Sequence, residues 1–189
     1  VNIDRTRILV IAATERELAP SDGWQAVRCG VGPVDAAAAS AAAIAAHRPA
    51  AVLHVGIAGA RRASGIAPGT VVIGTEARYC DLGVSPKWAP NTVAASPELL
   101  AAAARALPQA RTGAIGTSAR IGGTHDVDVE AMEGFAVLRA AQLAGVPAIE
   151  IRAISNAIEE SDRARWQFDA AFSAIIDATP RLIAELARA

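Results

Sequence analysis

The chain has 189 residues, 52 % hydrophobic and 20 % charged, a balance that suits one α/β domain with a full core and excludes a disordered chain. Its formal net charge is −1 and Lys87 is its single lysine, which argues against a nucleic-acid surface, because phosphate contacts need clustered Lys and Arg. No stretch is long enough to span a membrane, since the alanine-rich run 36–46 ends in His47-Arg48-Pro49.

In chain order, residues 7–13 are expected to form a buried strand, closed by the polar turn Thr14-Glu15-Arg16-Glu17. Asp4, Arg5 and Arg7 precede it, so no apolar signal region is expected and the setting is expected to be cytoplasmic. A second strand spans 24–29, and Gly30-Val31-Gly32-Pro33 then turns the chain into a helix over 34–47, with proline in its first turn. Strands follow at 50–55, ending in Gly56-Ile57-Ala58-Gly59, and at 70–77. Residues 78–93 lack periodicity and read as a loop. Ser96 caps a helix over 97–107. Short strands are expected at 113–117 and 126–129, a helix over 132–144 stopped by Gly145 and Pro147, and an apolar strand over 148–155. The tail, 164–187, reads as a helix that Pro180 is expected to bend or split. There is no repeat or linker. The alternation predicts a single domain over 1–189, a three-layer α/β/α fold with a mixed, mostly parallel central sheet.

The two cysteines, Cys29 and Cys80, are expected as thiols rather than a disulfide. No CxxC or HExxH spacing occurs and His47, His54 and His125 are scattered, so neither a metal nor a cofactor is expected. Strand ends in an open α/β sheet face the ligand crevice. Glu133 and Asn156, at the ends of two neighbouring strands, should therefore meet at one site. The glycine runs 30–32 and 56–59 read either as a pocket floor for sugar, phosphate or water, or as two tight strand-to-helix turns. Neither is a Walker loop or a GxGxxG motif. Glu15 and Glu17 read either as an exposed acidic turn or as a source of a general base. Glu133 suits a vicinal diol or a helix N-terminus, Asn156 a ligand contact or a turn, and Trp166 a ligand cover or a core anchor.

The joint order of these segments resembles the purine nucleoside phosphorylase and nucleosidase superfamily nearly end to end. Ala12-Ala13-Thr14-Glu15-Arg16-Glu17-Leu18 is similar to the nucleosidase N-terminal motif, whose last Glu activates water. Cys29-Gly30-Val31-Gly32-Pro33-Val34 and Val55-Gly56-Ile57-Ala58-Gly59 resemble its two glycine turns, and the run from Gly69 to Asp81 its central strand and interface loop. Val129-Glu130-Ala131-Met132-Glu133-Gly134 is similar to the Met-Glu ribose clamp, and Arg152-Ala153-Ile154-Ser155-Asn156 to the purine-binding strand end.

The resemblance implies a nucleoside substrate, with Glu17, Glu133 and Asn156 catalytic and Met132, Gly59, Ile121, Arg120 and Trp166 binding substrate. It also implies a homo-oligomer in which a neighbour's 78–90 region helps to build the 5′ pocket. Adenosine-type nucleosidases carry Asp where this chain has Asn156. An amide can donate to O6 or N7 of a 6-oxopurine, which a carboxylate would repel. The hexameric phosphorylases hold phosphate with arginines, where this chain has Thr14-Glu15-Arg16-Glu17 and His54. These two differences resemble the futalosine-hydrolysing branch of the superfamily. A 6-oxopurine nucleoside phosphorylase and a methylthioadenosine/S-adenosylhomocysteine-type nucleosidase are the alternatives. Arg120 stands where the adenosine nucleosidases stack an aromatic on the purine. Trp166 is expected against an aromatic 5′ substituent, with Arg163 or Arg165 near its carboxylate.

Overall fold

The computed structural model describes residues 2–188. Eight strands form one mixed sheet: β1 (Ile8–Ala12), β2 (Gln25–Arg28), β3 (Ala51–Ala60), β4 (Val71–Tyr79), β5 (Thr92–Ala94), β6 (Arg111–Thr117), β7 (Val129–Ala131) and β8 (Ala148–Ala157). The helices are α1 (Pro33–His47), α2 (Pro97–Ala106), α3 (Gly134–Leu143) and α4 (Phe168–Leu186). The strand order is β2-β1-β3-β7-β6-β4-β5, and β8 pairs with both β3 and β4. Strands β3, β7, β6, β4 and β8 therefore close into a ring, which removes their free edges.

All five residues of β1 are buried, because helices cover both faces. Ile8, Val10 and Ala12 face α2 and α4, whose Leu99, Ile175 and Leu182 complete that layer. Leu9 and Ile11 face the layer of α1 and α3, with Ile44, Val137 and Leu138. A third cluster, Ala58, Ala60, Val72, Ile115, Val129, Ala131 and Ile154, draws on all five strands of the ring. These side chains are small or branched, as a narrow closed sheet requires.

Several boundaries differ from the sequence expectation. Gly56-Ile57-Ala58-Gly59 is not a turn, and β3 runs through it because β8 pairs along one edge and β7 along the other. Thr92 and Val93 leave the expected loop and, with Ala94, form β5, pairing antiparallel with β4. The seventh strand lies at Val129–Ala131 rather than 126–129, and α3 starts at Gly134 rather than at 132. The last helix starts at Phe168, after a separate 3-10 turn at Arg163–Arg165, and runs unbroken through Pro180. Its buried face, from Ala171 to Leu186, holds it on the sheet.

Two local devices position the site. Register slips by one between Ala58 and Gly59, so Ile154 pairs with Ala58 and Asn156 with Gly59, leaving Ser155 as the extra residue. Such a bulge re-aims the side chain that follows it. At the start of α3, Glu133 is the N-cap but its side chain makes no capping bond. The Thr117 hydroxyl, at the end of β6 and fully buried, accepts from Phe135 N–H at 2.8 Å instead. Capping is thus supplied from another strand, and the Glu133 carboxylate is free for other partners. Thr117→Val should leave a buried N–H unpaired and lower unfolding stability by about 1–3 kcal/mol. Thr117→Ser should retain most of that stability, as urea denaturation of the two variants would show.

Candidate active site

A cavity of about 330 Å³ opens where β1, β3 and β8 end beside β7, a volume within the range of small-molecule sites. Glu17, Gly59, Ile121, Met132, Glu133, Asn156 and Trp166 all line it. Arg120 does not line it and is exposed, so the structure leaves that expected binding residue outside the site.

Glu17 is buried, although its neighbours Glu15 and Arg16 are exposed. Thr14 and Glu17 form a capping box around one 3-10 turn. Glu17 Oε2 accepts from Thr14 N–H and Oγ1–H, each at 2.8 Å, and Oε1 accepts from Ile57 N–H at 3.0 Å. The acidic turn is therefore folded inward and fixed to β3, with lone-pair capacity left on Oε1 for a water.

Glu133 is held from two sides. Gly32 N–H, at the N-terminus of α1, donates to Oε1 at 3.1 Å, and Arg152 Nη2 lies 3.3 Å from Oε2. Gly32 has φ +91° and Gly30 +81°, so glycine is what permits this turn to aim its N–H at the carboxylate. Backbone N–H groups at a helix N-terminus favour an anion, and here that anion is the protein's own side chain.

Behind Glu133 lies a group that the sequence reading passed over. Arg152 is 1 % exposed. Its Nε donates to Glu150 Oε1 at 2.7 Å, its Nη1 to the Ile57 carbonyl at 3.3 Å, and its Nη2 faces Glu133 and His54 Nε2. Strand register brings this about: His54 pairs with Glu150 and Gly56 with Arg152, on the face of β3 and β8 that packs toward α3. A Cβ at Gly56 would run into Arg152 Nη1 and lie 2.9 Å from Glu17 Oε1. A Cβ at Gly134 would run into the Glu150 carboxylate. Two glycines thus make room for the buried charges. The signal in the sequence was Glu150-Ile151-Arg152, opposite charges at i and i+2 inside an apolar strand, which alternation places on one face.

Burial opposes charge on Arg152, but the carboxylates of Glu150, Glu133 and Glu17 outweigh it and raise its pKa. Burial raises the Glu150 pKa, against the pull of Arg152. Burial, followed by the Arg152 charge, holds His54 well below its ordinary value of 6.5. His54 Nδ1 lies 2.9 Å from the Ile11 carbonyl, so the hydrogen-bond pattern assigns the proton to Nδ1 and leaves Nε2 to accept from Arg152. Burial, with Glu133 next, pushes the Cys29 thiol up to about 12, which removes it as a nucleophile. Both Cys29 and Cys80 are free thiols.

At the far end, Asn156 Nδ2 donates to the Ala157 carbonyl at 2.9 Å, and Oδ1 accepts from Ser155 Oγ at 2.7 Å. A carbonyl can only accept, so the amide orientation is fixed and one Nδ2–H remains for a ligand acceptor. A Cβ at Gly59 would lie 3.1 Å from Nδ2, so glycine keeps that space open. Glu130 lines the cavity, but its carboxylate accepts from Gly122 N–H, Thr124 N–H and Thr124 Oγ1–H at 2.6–3.0 Å. It pins the loop that carries Ile121.

The family model described as "Phosphorylase superfamily" matches residues 25–188. The chain is 35 % identical to futalosine hydrolase of Streptomyces coelicolor, over 85 % of this chain and 79 % of that protein. It is 30 % identical to futalosine hydrolase of Thermus thermophilus, over 86 % and 82 %. In fold it resembles a 5′-methylthioadenosine/S-adenosylhomocysteine nucleosidase from Colwellia psychrerythraea solved with adenine. The TM-score is 0.85 at 20 % identity, covering 100 % of this chain and 99 % of that one.

The neutrality of His54 has a consequence for stability. Its pKa is depressed in the folded state, so the unfolded chain binds the extra proton as pH falls. The contribution is therefore present above pH 6.5 and lost below it. Between pH 7.5 and 5.5 this one group should remove about 1.4 kcal/mol of unfolding free energy. His54→Gln should abolish that increment, read as the difference between wild-type and variant urea curves at the two pH values.

Proposed function

This chain belongs to the phosphorylase superfamily, and on that premise we propose that it hydrolyses the N-glycosidic bond of futalosine, in menaquinone biosynthesis. The products are hypoxanthine and dehypoxanthine futalosine. One observation carries the reading. Two backbone N–H groups suited to an anion, Gly32 at the start of α1 and Ile57 in β3, already hold the carboxylates of Glu133 and Glu17. Arg152, the buried cation beside them, has each of its nitrogens engaged by protein groups. A phosphate would meet two carboxylates rather than free donors, and water is the nucleophile that suits them. The two futalosine hydrolases above support the same choice.

In the proposed mechanism the C1′–N9 bond breaks through an oxocarbenium-like ribose, as in glycoside hydrolysis. Met132 lies against the sugar. Glu133, fixed by Gly32 and Arg152, accepts from the 2′- and 3′-hydroxyls and stabilises the positive charge that develops on the ring. Glu17 orients a water, takes one of its protons and directs its oxygen to C1′. The free Nδ2–H of Asn156 donates to N7 or O6 of the departing purine, which receives its proton from solvent. Adenine presents an amino donor at position 6, which an amide donor matches poorly, so Asn156 favours a 6-oxopurine.

We also propose a cytoplasmic setting, supported by the two free cysteines, and a homo-oligomer. Val31, on the cavity wall, is 58 % exposed, and Trp88, in the 78–90 segment expected at a subunit interface from the resemblance, is 85 % exposed. Exposed apolar side chains of this kind support a subunit contact. Among the described residues no helix is long and apolar enough to cross a membrane.

The test is hypoxanthine or adenine release from futalosine, inosine and methylthioadenosine in parallel. Futalosine should be the preferred substrate of the wild type. Glu17→Gln and Glu133→Gln should each lower kcat by about 100- to 1000-fold, and near-normal turnover in either removes its assigned role. Asn156→Asp should shift kcat/KM toward methylthioadenosine. Preference of the wild type for methylthioadenosine would replace this reading with the adenosine-type one.

A further inference from the structure

The cavity wall away from Glu133 is a row of three aromatic rings, Trp166, Phe168 and Phe172. Trp166 and Phe168 have centroids 5.4 Å apart, and Phe168 and Phe172 stack at 6.1 Å with planes 16° apart. The row is anchored at both ends of its first segment. Trp166 Nε1 donates to the Glu160 carbonyl at 3.0 Å, and Gln167 N–H to the Ser155 carbonyl at 2.8 Å, next to Asn156. At the other end of the row, the Arg16 guanidinium carbon sits 4.4 Å from the centre of the Phe172 ring.

Arg16 is the single cation among the described residues that line the cavity. Its protein partner is weak: Asp169 lies 3.6 Å away, with the two side chains 67 % and 100 % exposed. Such a pair contributes little to stability and readily yields to a better acceptor. A guanidinium over a ring face still has N–H groups to offer as a fork that fits a carboxylate. The cations expected for this task from the sequence are placed otherwise. Arg163 stacks over Trp166 at 5.7 Å, and Arg165 pairs with Glu160 at 3.7 Å and Asp162 at 3.6 Å. Neither lines the cavity.

We propose that Arg16 is a specificity-determining residue that binds the carboxylate of an acidic aromatic 5′ substituent, whose ring stacks along Trp166, Phe168 and Phe172. This rests on the hydrolase reading above. It makes the site selective for nucleosides carrying such a group over those ending in a plain 5′-hydroxyl. Because Arg16 and Glu17 are adjacent on one 3-10 turn, the residue that reads the 5′ end and the residue that activates water are positioned by the same element.

The experiment compares futalosine with inosine in phosphate-free, low-salt buffer, for the wild type, Arg16→Gln, Arg16→Lys and Arg165→Gln. In Arg16→Gln the ratio of kcat/KM for futalosine to that for inosine should fall by at least about tenfold, mainly through KM for futalosine. Arg16→Lys should fall between the two, since it keeps the charge and loses the fork. Added salt should raise wild-type KM for futalosine more than KM for inosine, which also tests the idea without any variant. An unchanged ratio in Arg16→Gln, or equal losses on both substrates, overturns the proposal, the latter because it would mean that Arg16 acts through Glu17. A comparable fall in ratio in Arg165→Gln would assign the carboxylate there and likewise overturn it. Wild type that leaves futalosine intact in this assay would refute the hydrolase reading itself, a result distinct from a wild type that cleaves it without help from Arg16.

Discussion

The site depends on one buried cation. Arg152 reaches Glu150, Glu133, His54 and the Ile57 carbonyl from the middle of β8. A guanidinium out of water is tolerated only when its donors are paired, and removing one partner of such a cluster commonly costs about 3–5 kcal/mol. The surrounding fold is shaped around that demand. Gly56 and Gly134 leave the space, register aligns His54 with Glu150 and Gly56 with Arg152, and the neutral imidazole offers its lone pair. The result is a Glu133 carboxylate fixed by a cation on one side and a helix N-terminus on the other, and an Ile57 residue whose carbonyl accepts from Arg152 while its N–H donates to Glu17.

That arrangement explains how one fold can favour water over phosphate. Helix N-termini and glycine-rich strand ends are general anion sites. In this chain the two donors at Gly32 and Ile57 are taken by side-chain carboxylates that enter from other elements, Glu133 from the start of α3 and Glu17 from the turn after β1. Glu133 is available because Thr117 caps α3 in its place. The choice of nucleophile is therefore built from capping and register as much as from the identity of the acids.

The layered fold and most of the cavity lining were legible in the sequence, because strand ends in an α/β sheet converge and the motifs sit at those ends. Glu17, Met132, Glu133 and Asn156 meet as expected. What escaped depends on pairing between distant segments. The run Gly56–Gly59 looks like a turn until β7 and β8 take up its two edges. The bulge at Ser155 that re-aims Asn156, and the pairing of residues 92–94 with β4, are likewise set by partners far away in the chain. Glu150 and Arg152 sit in an otherwise apolar strand, and which buried charges they meet is set by register with β3. Position in a motif points Arg120 to the site, yet its loop, pinned by Glu130, turns Ile121 toward the cavity and leaves Arg120 in solvent.

The backbone donors at Gly32 and Ile57 are already occupied by carboxylates, which leaves water as the nucleophile. The most direct measurement is the mass of the sugar product formed from futalosine in saturating phosphate, with the rate followed as phosphate is titrated from zero. Free sugar alone is expected, formed at a rate that does not depend on phosphate. A sugar 1-phosphate, formed at a rate that vanishes without phosphate, would contradict it.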